Sequence, residues 1–291
     1  MKIAAACYPV DGPDSWAGWE DKAEAWVADA GADIAVFPEY GAMELAAITG
    51  ARGLSAEMRA VSEALPRAWD HWARLATRYD IHILAPSGPV FDGDAPVNRA
   101  MFLAPSGKRQ AHDKRVRTPW ERDPMGCAPG GAPVLMDTTL GRVGVQICYD
   151  CEFPLATRAM AEAGLDVLLV PSQTEAMAGF SRVRTGARAR ALEAQCVVAH
   201  APTQGQAAWS EVVDENTGAA GIYVPSDHGL PETGILAQGA MNTPGWTRVE
   251  LDVARLQTVR TAGGVRTRTD WPEQFGADAV SIPPIPLVSL R

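Results

Sequence analysis

The sequence predicts an α/β protein, a single layered domain in which strands and helices alternate. Three observations predict it. Short β-rich runs are separated by helical stretches almost to the end of the chain, and such alternation implies a sheet with helices packed on its faces. The run at 167–170 is apolar throughout, as in a strand covered on both faces. No linker, repeat or low-complexity tract divides the 291 residues, a length that one large domain can hold.

The elements follow in order. Residues 3–7 read as the first strand. Ser15 is placed to cap a helix, because Trp16, Trp19, Ala23, Trp26, Val27 and Ala30 recur at helical spacing and Gly31 ends the run. Residues 34–37 form a second strand, stopped by Pro38. A helical region covers 55–79. Its second half is expected to start at Pro66, since proline is tolerated at a first helical position. Strands follow at 81–85 and 99–104. Beyond Gly131 the rhythm repeats, with strands at 133–137 and 143–147, a helix at 153–164 and the strand at 167–170. A helix at 179–195 then leads to strands at 196–201, 221–224, 235–237 and 246–251. Residues 1–270 read as one domain. Residues 271–291 hold Pro272, Pro283, Pro284 and Pro286 and read as an extended arm that packs at an oligomer interface.

Composition narrows the function. With 47% hydrophobic and 21% charged residues the chain can build an ordinary core. A net charge of −9 argues against a general nucleic-acid binder, which carries a basic footprint. Five scattered cysteines (Cys7, Cys127, Cys148, Cys151, Cys196) do not make a disulfide framework. The opening MKIAAACYPV lacks the long apolar stretch of a signal peptide, and no run reaches the length of a membrane span. The expectation is a soluble, cytoplasmic protein with no nucleic-acid or membrane partner.

Four segments carry candidate chemistry. In Val36-Phe37-Pro38-Glu39-Tyr40 a strand ends in a carboxylate, where α/β proteins place their sites. Taken alone, Glu39 reads rather as an exposed loop residue, since single charges at strand ends are common. His112-Asp113-Lys114-Arg115 holds one of only four lysines among 26 basic residues. A lysine kept where arginine serves nearly everywhere suggests a need for a compact ammonium, although a solvated charge cluster also fits. Trp120-Glu121-Arg122 says little by itself. In the run 144–154 a strand ends at Cys148 and a helix starts within five residues. A sharp strand-to-helix turn presents a nucleophile and sets backbone N–H groups beside it. A small buried hydrophobe is the other reading of a cysteine. Cys148 and Cys151 also form a Cys-x-x-Cys pair, open to a redox or zinc reading, yet the five histidines supply no ligands at matched spacing. No histidine is placed as a base for the thiol, which points back to Glu39.

Together these segments resemble the nitrilase superfamily of carbon–nitrogen hydrolases. The likeness rests on Phe-Pro-Glu39, Asp-Lys114 with Glu121, and Ile-Cys148-Tyr-Asp-x-Glu-Phe-Pro, and it runs from Lys2 to about Val253. The strand at 168–171 and Arg188-Ala-Arg190-Ala-Leu-Glu193 resemble later landmarks. The family usually has Glu-Asn where this chain has Glu193-Ala194. Phe180-Ser-Arg182-Val-Arg184 and Pro225-Ser-Asp227 are similar to a subgroup often fused to an N-acetyltransferase domain, here expected as the hydrolase alone. The resemblance implies a four-layer αββα sandwich, a homodimer or higher homo-oligomer, and neither a metal nor a cofactor.

It further implies roles. Glu39 is the base, Cys148 the nucleophile, and Lys114 with the Tyr149 backbone N–H the oxyanion donors. Glu121 holds Lys114 in place. Asp150 is assigned to structure, capping the helix start. Cys-Tyr-Asp resembles the amidase and carbamoylase branches, so the expected substrate is a small-molecule amide, with nitriles and carbamoyl compounds as alternatives. Tyr40, Trp120, Gln173, Thr174 and Glu175 are expected at the substrate pocket, the two aromatics as an apolar wall. Arg182, Arg184, Arg188 and Arg190 read as a solvated or interface face. A non-catalytic scaffold and a Cys-x-x-Cys redox or metal protein remain as readings of a different class.

Overall fold

The first strand shows how the layers arise. In β1 (Lys2–Pro9) side chains alternate between faces, as the pleat requires. Ile3, Ala5 and Cys7 join the apolar cluster between two sheets, while Ala4, Ala6 and Tyr8 join another cluster beneath two helices. Those helices are α1 (Trp16–Ala30) and α3 (Leu54–Arg78). Trp19, Phe37 and Trp72 meet there with ring centroids 4.6–5.9 Å apart. The structure, a computed structural model, describes residues 1–274 and 284–290.

One sheet has the order β13 (Gly245–Glu250), β1, β2 (Ile34–Val36), β3 (His82–Val90), β4 (Val97–Leu103) and β5 (Arg109–Asp113). The other runs β14 (Leu287–Ser289), β6 (Leu135–Thr138), β7 (Gly141–Val145), β8 (Val167–Ser172), β9 (Val197–Gln206), β11 (Gly221–Tyr223) and β12 (Ile235–Gln238). The short β10 (Glu215–Asn216) pairs with β9. Tyr8 and Pro9 pair with Thr203 and Gln204, which joins the sheets at one end. Helices α5 (Pro154–Glu162) and α6 (Met177–Ala194) cover the second sheet through Met160, Val183, Ala187 and Ala191. The result is an α/β fold of four layers, helices outside two facing sheets.

Local chemistry sets the element ends. Ser15 accepts the Gly18 N–H at 3.2 Å, and Gly31 closes α1 at φ 57°. Pro66 departs from expectation, since it lies inside one continuous α3 and does not begin a helix. It sits on the exposed side of the helix, away from the packed face. β3 runs on to Val90 through Pro86 and Pro89, with a register shift between Ala85 and Gly88. The shift accommodates a residue that cannot donate to the ladder. Outside the sequence expectations lie the helices α2 (Glu44–Thr49), α4 (Pro119–Arg122) and α7 (Val253–Ala262) and the strands β5, β10 and β14. The arm at 271–291 falls partly outside the described residues, namely at 275–283 and 291. Its described end adds β14 in parallel to β6 of the same chain, with Leu290 N–H on Asp137 O at 2.9 Å. Among the described residues no helix is long and apolar enough to cross a membrane.

Candidate active site

Four strands that run in one direction, β2, β5, β7 and β8, end at one place. In α/β proteins that is where ligands bind. Glu39 follows β2, Lys114 follows β5, Cys148 follows β7 and Gln173 follows β8. Glu121 comes from α4, whose Thr118 makes a reciprocal cap with it: Glu121 N–H donates to Thr118 Oγ1 at 3.2 Å, and Thr118 N–H donates to Glu121 Oε2 at 2.9 Å. Glu39, Lys114, Glu121 and Cys148 are each at most 5% exposed, and all line one cavity of about 320 Å³.

Lys114 Nζ sits 2.7 Å from Glu39 Oε1 and 2.7 Å from Glu121 Oε2. Glu39 Oε2 accepts the Gln173 N–H at 2.8 Å. The Cys148 thiol donates to Gln173 O at 3.5 Å and interacts with Glu39. Cys148 opens a 3₁₀ turn, Cys148–Glu152, with φ 49°. A side-chain-bearing residue held in the left-handed region costs on the order of 1–3 kcal/mol, and such strain clusters at functional sites. Tyr40, at φ 53°, makes the matching sharp turn after Glu39.

The electrostatics separate the two carboxylates. Burial pushes Glu39 above the ordinary glutamate range, and Glu121 adds to this against the pull of Lys114. Burial also opposes ionisation of Glu121, but Lys114, the Thr118 N–H and Asn98 outweigh it and leave its carboxyl below the usual range. Burial would discharge Lys114, yet Glu39, Glu121 and Cys148 hold it firmly as an ammonium. The Cys148 thiol is pushed well up, by burial first and by Glu39 next. The site thus sets a thiol that burial holds back from ionising beside Glu39, whose carboxyl is raised, with an ammonium held charged alongside.

The pocket residues expected from sequence divide into two kinds. Tyr40, Trp120, Gln173, Thr174 and Glu175 all line the cavity, as does Tyr149. Trp120 is 46% exposed and forms an open wall. Tyr40 is buried, and its hydroxyl donates to Glu121 Oε1 at 2.9 Å, so it supports a carboxylate as well as lining the space. Gln173 Nε2 donates to Glu215 O at 3.1 Å and Thr174 Oγ1 to Thr217 O at 2.7 Å, so both side chains are held by the 215–217 segment while the Gln173 backbone meets Glu39 and Cys148.

Asp150, the arginines of α6 and Cys151 serve the surrounding structure in different ways. Asp150 accepts backbone N–H groups: that of Ile147 at the start of its own turn, as expected, and also those of Arg115 at 3.2 Å and Val116 at 2.7 Å. It thus ties the Cys148 turn to the loop that carries Lys114. Burial raises its carboxyl to about 6. The four arginines of α6 do not form one solvated face. Arg190 is buried and donates to Cys151 O at 2.9 Å, while Arg182 lines the cavity with Nε 3.7 Å from Glu152. Cys151 is buried with its thiol on Val183 O, and no group of three His, Cys, Asp or Glu is arranged to hold a metal ion among the described residues.

Asn98, at the start of β4, escaped the sequence reading. Its buried amide donates to Glu39 Oε1 at 2.9 Å and to Glu121 Oε1 at 3.1 Å. The one available signal was a polar side chain at a strand start, which is common elsewhere.

Comparison with known proteins places this geometry. The chain is 30% identical over 242 residues to the probable hydrolase YhcX of Bacillus subtilis, covering 83% of this chain and 47% of the relative. It thus spans about half that relative's length. It is 30% identical over 199 residues to the deaminated glutathione amidase of Synechocystis sp., covering 64% of this chain and 70% of that one. An amidase variant from Nesterenkonia sp. AN1, solved with acrylamide added at its active-site cysteine, shares the fold with a TM-score of 0.66 at 21% identity, covering 89% of this chain and 96% of that one. The carbon-nitrogen hydrolase family model matches residues 2–260. The chain belongs to the carbon-nitrogen hydrolase family.

Proposed function

We propose that this chain hydrolyses a non-peptide amide bond through a cysteine thioester, releasing a carboxylic acid and ammonia or an amine. The observation that carries the reading is one buried cluster: the Cys148 thiol, the Glu39 carboxylate and the Lys114 ammonium at the wall of a cavity. The names of its relatives, an amidase and a protein with a reactive active-site cysteine, agree with it. A cavity of about 320 Å³ suits a small acyl group, being near the lower end of ligand pockets.

The steps balance as follows. Glu39 accepts the thiol proton while Sγ bonds to the carbonyl carbon. The carbonyl π electrons move to oxygen, and Lys114 Nζ and the Tyr149 N–H stabilise that oxyanion. Such donors are each worth about 2.7–4 kcal/mol. As the oxyanion collapses the C–N bond breaks, and the leaving nitrogen takes the proton from Glu39. Water then gives a proton to Glu39 and its oxygen attacks the thioester carbon. The C–S bond breaks and the thiolate recovers the proton. Glu39 must act as base and then acid, which a carboxylate held above its ordinary range does well.

The test is ammonia release by wild type and Cys148→Ala on a shared panel of amides, carbamoyl compounds and nitriles. Release from amides that vanishes in Cys148→Ala, with folding intact, is the expected result. Carbon dioxide released with ammonia would move the assignment to a carbamoylase, and release from nitriles alone to a nitrilase. Equal release by Cys148→Ala would overturn the nucleophile.

A further inference from the structure

We propose that Asn98 is a positioning residue: by donating one amide hydrogen to Glu39 Oε1 and the other to Glu121 Oε1, it leaves Glu39 Oε2 as the oxygen that exchanges a proton with Cys148. Nδ2 carries two hydrogens, and both are committed, at 2.9 and 3.1 Å. The orientation of the amide is fixed by chemistry, because the opposite flip would set its carbonyl oxygen against two carboxylates. Oδ1 is buried and meets no donor among the described residues. The donor half therefore holds the side chain in place. The backbone carbonyl of Asn98 also accepts the Lys114 N–H at 2.9 Å. One residue thus bonds both carboxylates through its side chain and the backbone that carries Lys114.

The oxygens of Glu39 then become unequal. Oε1 accepts from Lys114 Nζ and from Asn98 Nδ2, which uses both of its lone pairs. Oε2 accepts the Gln173 N–H and retains one lone pair. Gln173 also accepts the Cys148 thiol on its carbonyl, so the same residue keeps Sγ close to Oε2. The proton lost by the thiol enters at Oε2 and returns from there. The other titratable groups facing Glu39 are Lys114 and Glu121, with Tyr40 and Cys151 behind them. None of them offers two hydrogens to two carboxylates at once.

A hydrogen bond to a carboxylate favours its ionised form. Leucine has nearly the shape of asparagine and no hydrogen to give. In Asn98→Leu, Glu39 therefore holds its proton to higher pH. The catalytic meaning of this rests on the amidase reading, but the measurement does not. The rate of Cys148 alkylation by iodoacetamide, read by peptide mass spectrometry across pH, reports the thiol and its base without any substrate. The other four buried cysteines serve as internal controls. The acid-side midpoint of Cys148 alkylation is expected to rise by about one pH unit in Asn98→Leu. Asn98→Asp keeps the size of the side chain but offers one hydrogen at most, and is expected to shift the midpoint the same way. For the amide reaction kcat falls at least tenfold in Asn98→Leu, while KM stays within about twofold, since the side chain does not reach the substrate. Wild-type midpoints in both variants, or a change in KM alone, would overturn the assignment. Absence of Cys148-dependent turnover in the wild type would instead overturn the amidase reading and leave the alkylation result standing.

Discussion

Lys114 is the residue on which two buried carboxylates converge, and its role differs from that of a generic cation. An ammonium is a compact point charge, whereas a guanidinium is a wide planar fork. Lys114→Arg keeps the charge that balances Glu39 and Glu121 but cannot place a donor at the same spot. Its melting temperature is expected to stay near wild type while kcat drops by roughly 10²–10³, the loss seen when one oxyanion donor is removed. Full activity in Lys114→Arg would remove Lys114 from the oxyanion site. Lys114→Met leaves two buried carboxylates without their cation, and is expected to cost about 3–5 kcal/mol of stability. The pH profile follows from the same residues. Glu39 is raised, so under the proposed mechanism the acid limb of a kcat–pH profile is expected above the ordinary glutamate range, with activity falling as pH drops through it. Lys114 is raised well above its normal value, so it stays charged through neutral pH and does not set the alkaline limb there.

At the scale of elements, the placement of Cys148 depends on how closely α6 approaches the turn Cys148–Glu152. A Cβ at Gly186 would lie 2.9 Å from Cys151 O, closer than side-chain carbons come. Arg190, one turn on, donates to that same oxygen. Gly186→Ala therefore pushes α6 off the turn, with an expected cost of about 1–3 kcal/mol by thermal melting and a lower kcat. A variant with wild-type stability and turnover would show that the approach is not needed. These close approaches explain what the sequence could and could not reveal. Strand ends were legible because Phe37-Pro38-Glu39 and Ile147-Cys148-Tyr149 break an apolar run with a reactive group. β5 was hidden because Arg109–Asp113 is polar and draws its order from pairing with β4. α7 was hidden because only Leu256 and Val259 are buried, too few to mark a face. Asn98 was invisible because its meaning lies in two carboxylates distant in sequence, which only the fold brings to its amide.

In the whole molecule, two sheets joined at Tyr8–Pro9 and Thr203–Gln204 direct strands from both halves toward one end. Glu39 and Lys114 come from one sheet, Cys148 and Gln173 from the other. Neither sheet alone holds the set, so the site reports on the packing of the two. Asp150, reaching from the Cys148 turn to Arg115 and Val116, ties the halves there, as does the Gln173 N–H on Glu39 Oε2. The order of the chemistry-bearing segments along the chain was readable in advance. Their convergence was readable only through the family resemblance. The central claim is that Cys148 carries the acyl group. The measurement that tests it most directly is the intact mass of the protein, quenched in acid during turnover of an amide that gives Cys148-dependent ammonia. The account predicts a species heavier by the acyl group, that is, the amide minus ammonia, located on the peptide containing Cys148 and absent in Cys148→Ala. Turnover with no such adduct in the wild type, together with turnover retained in Cys148→Ala, would contradict it.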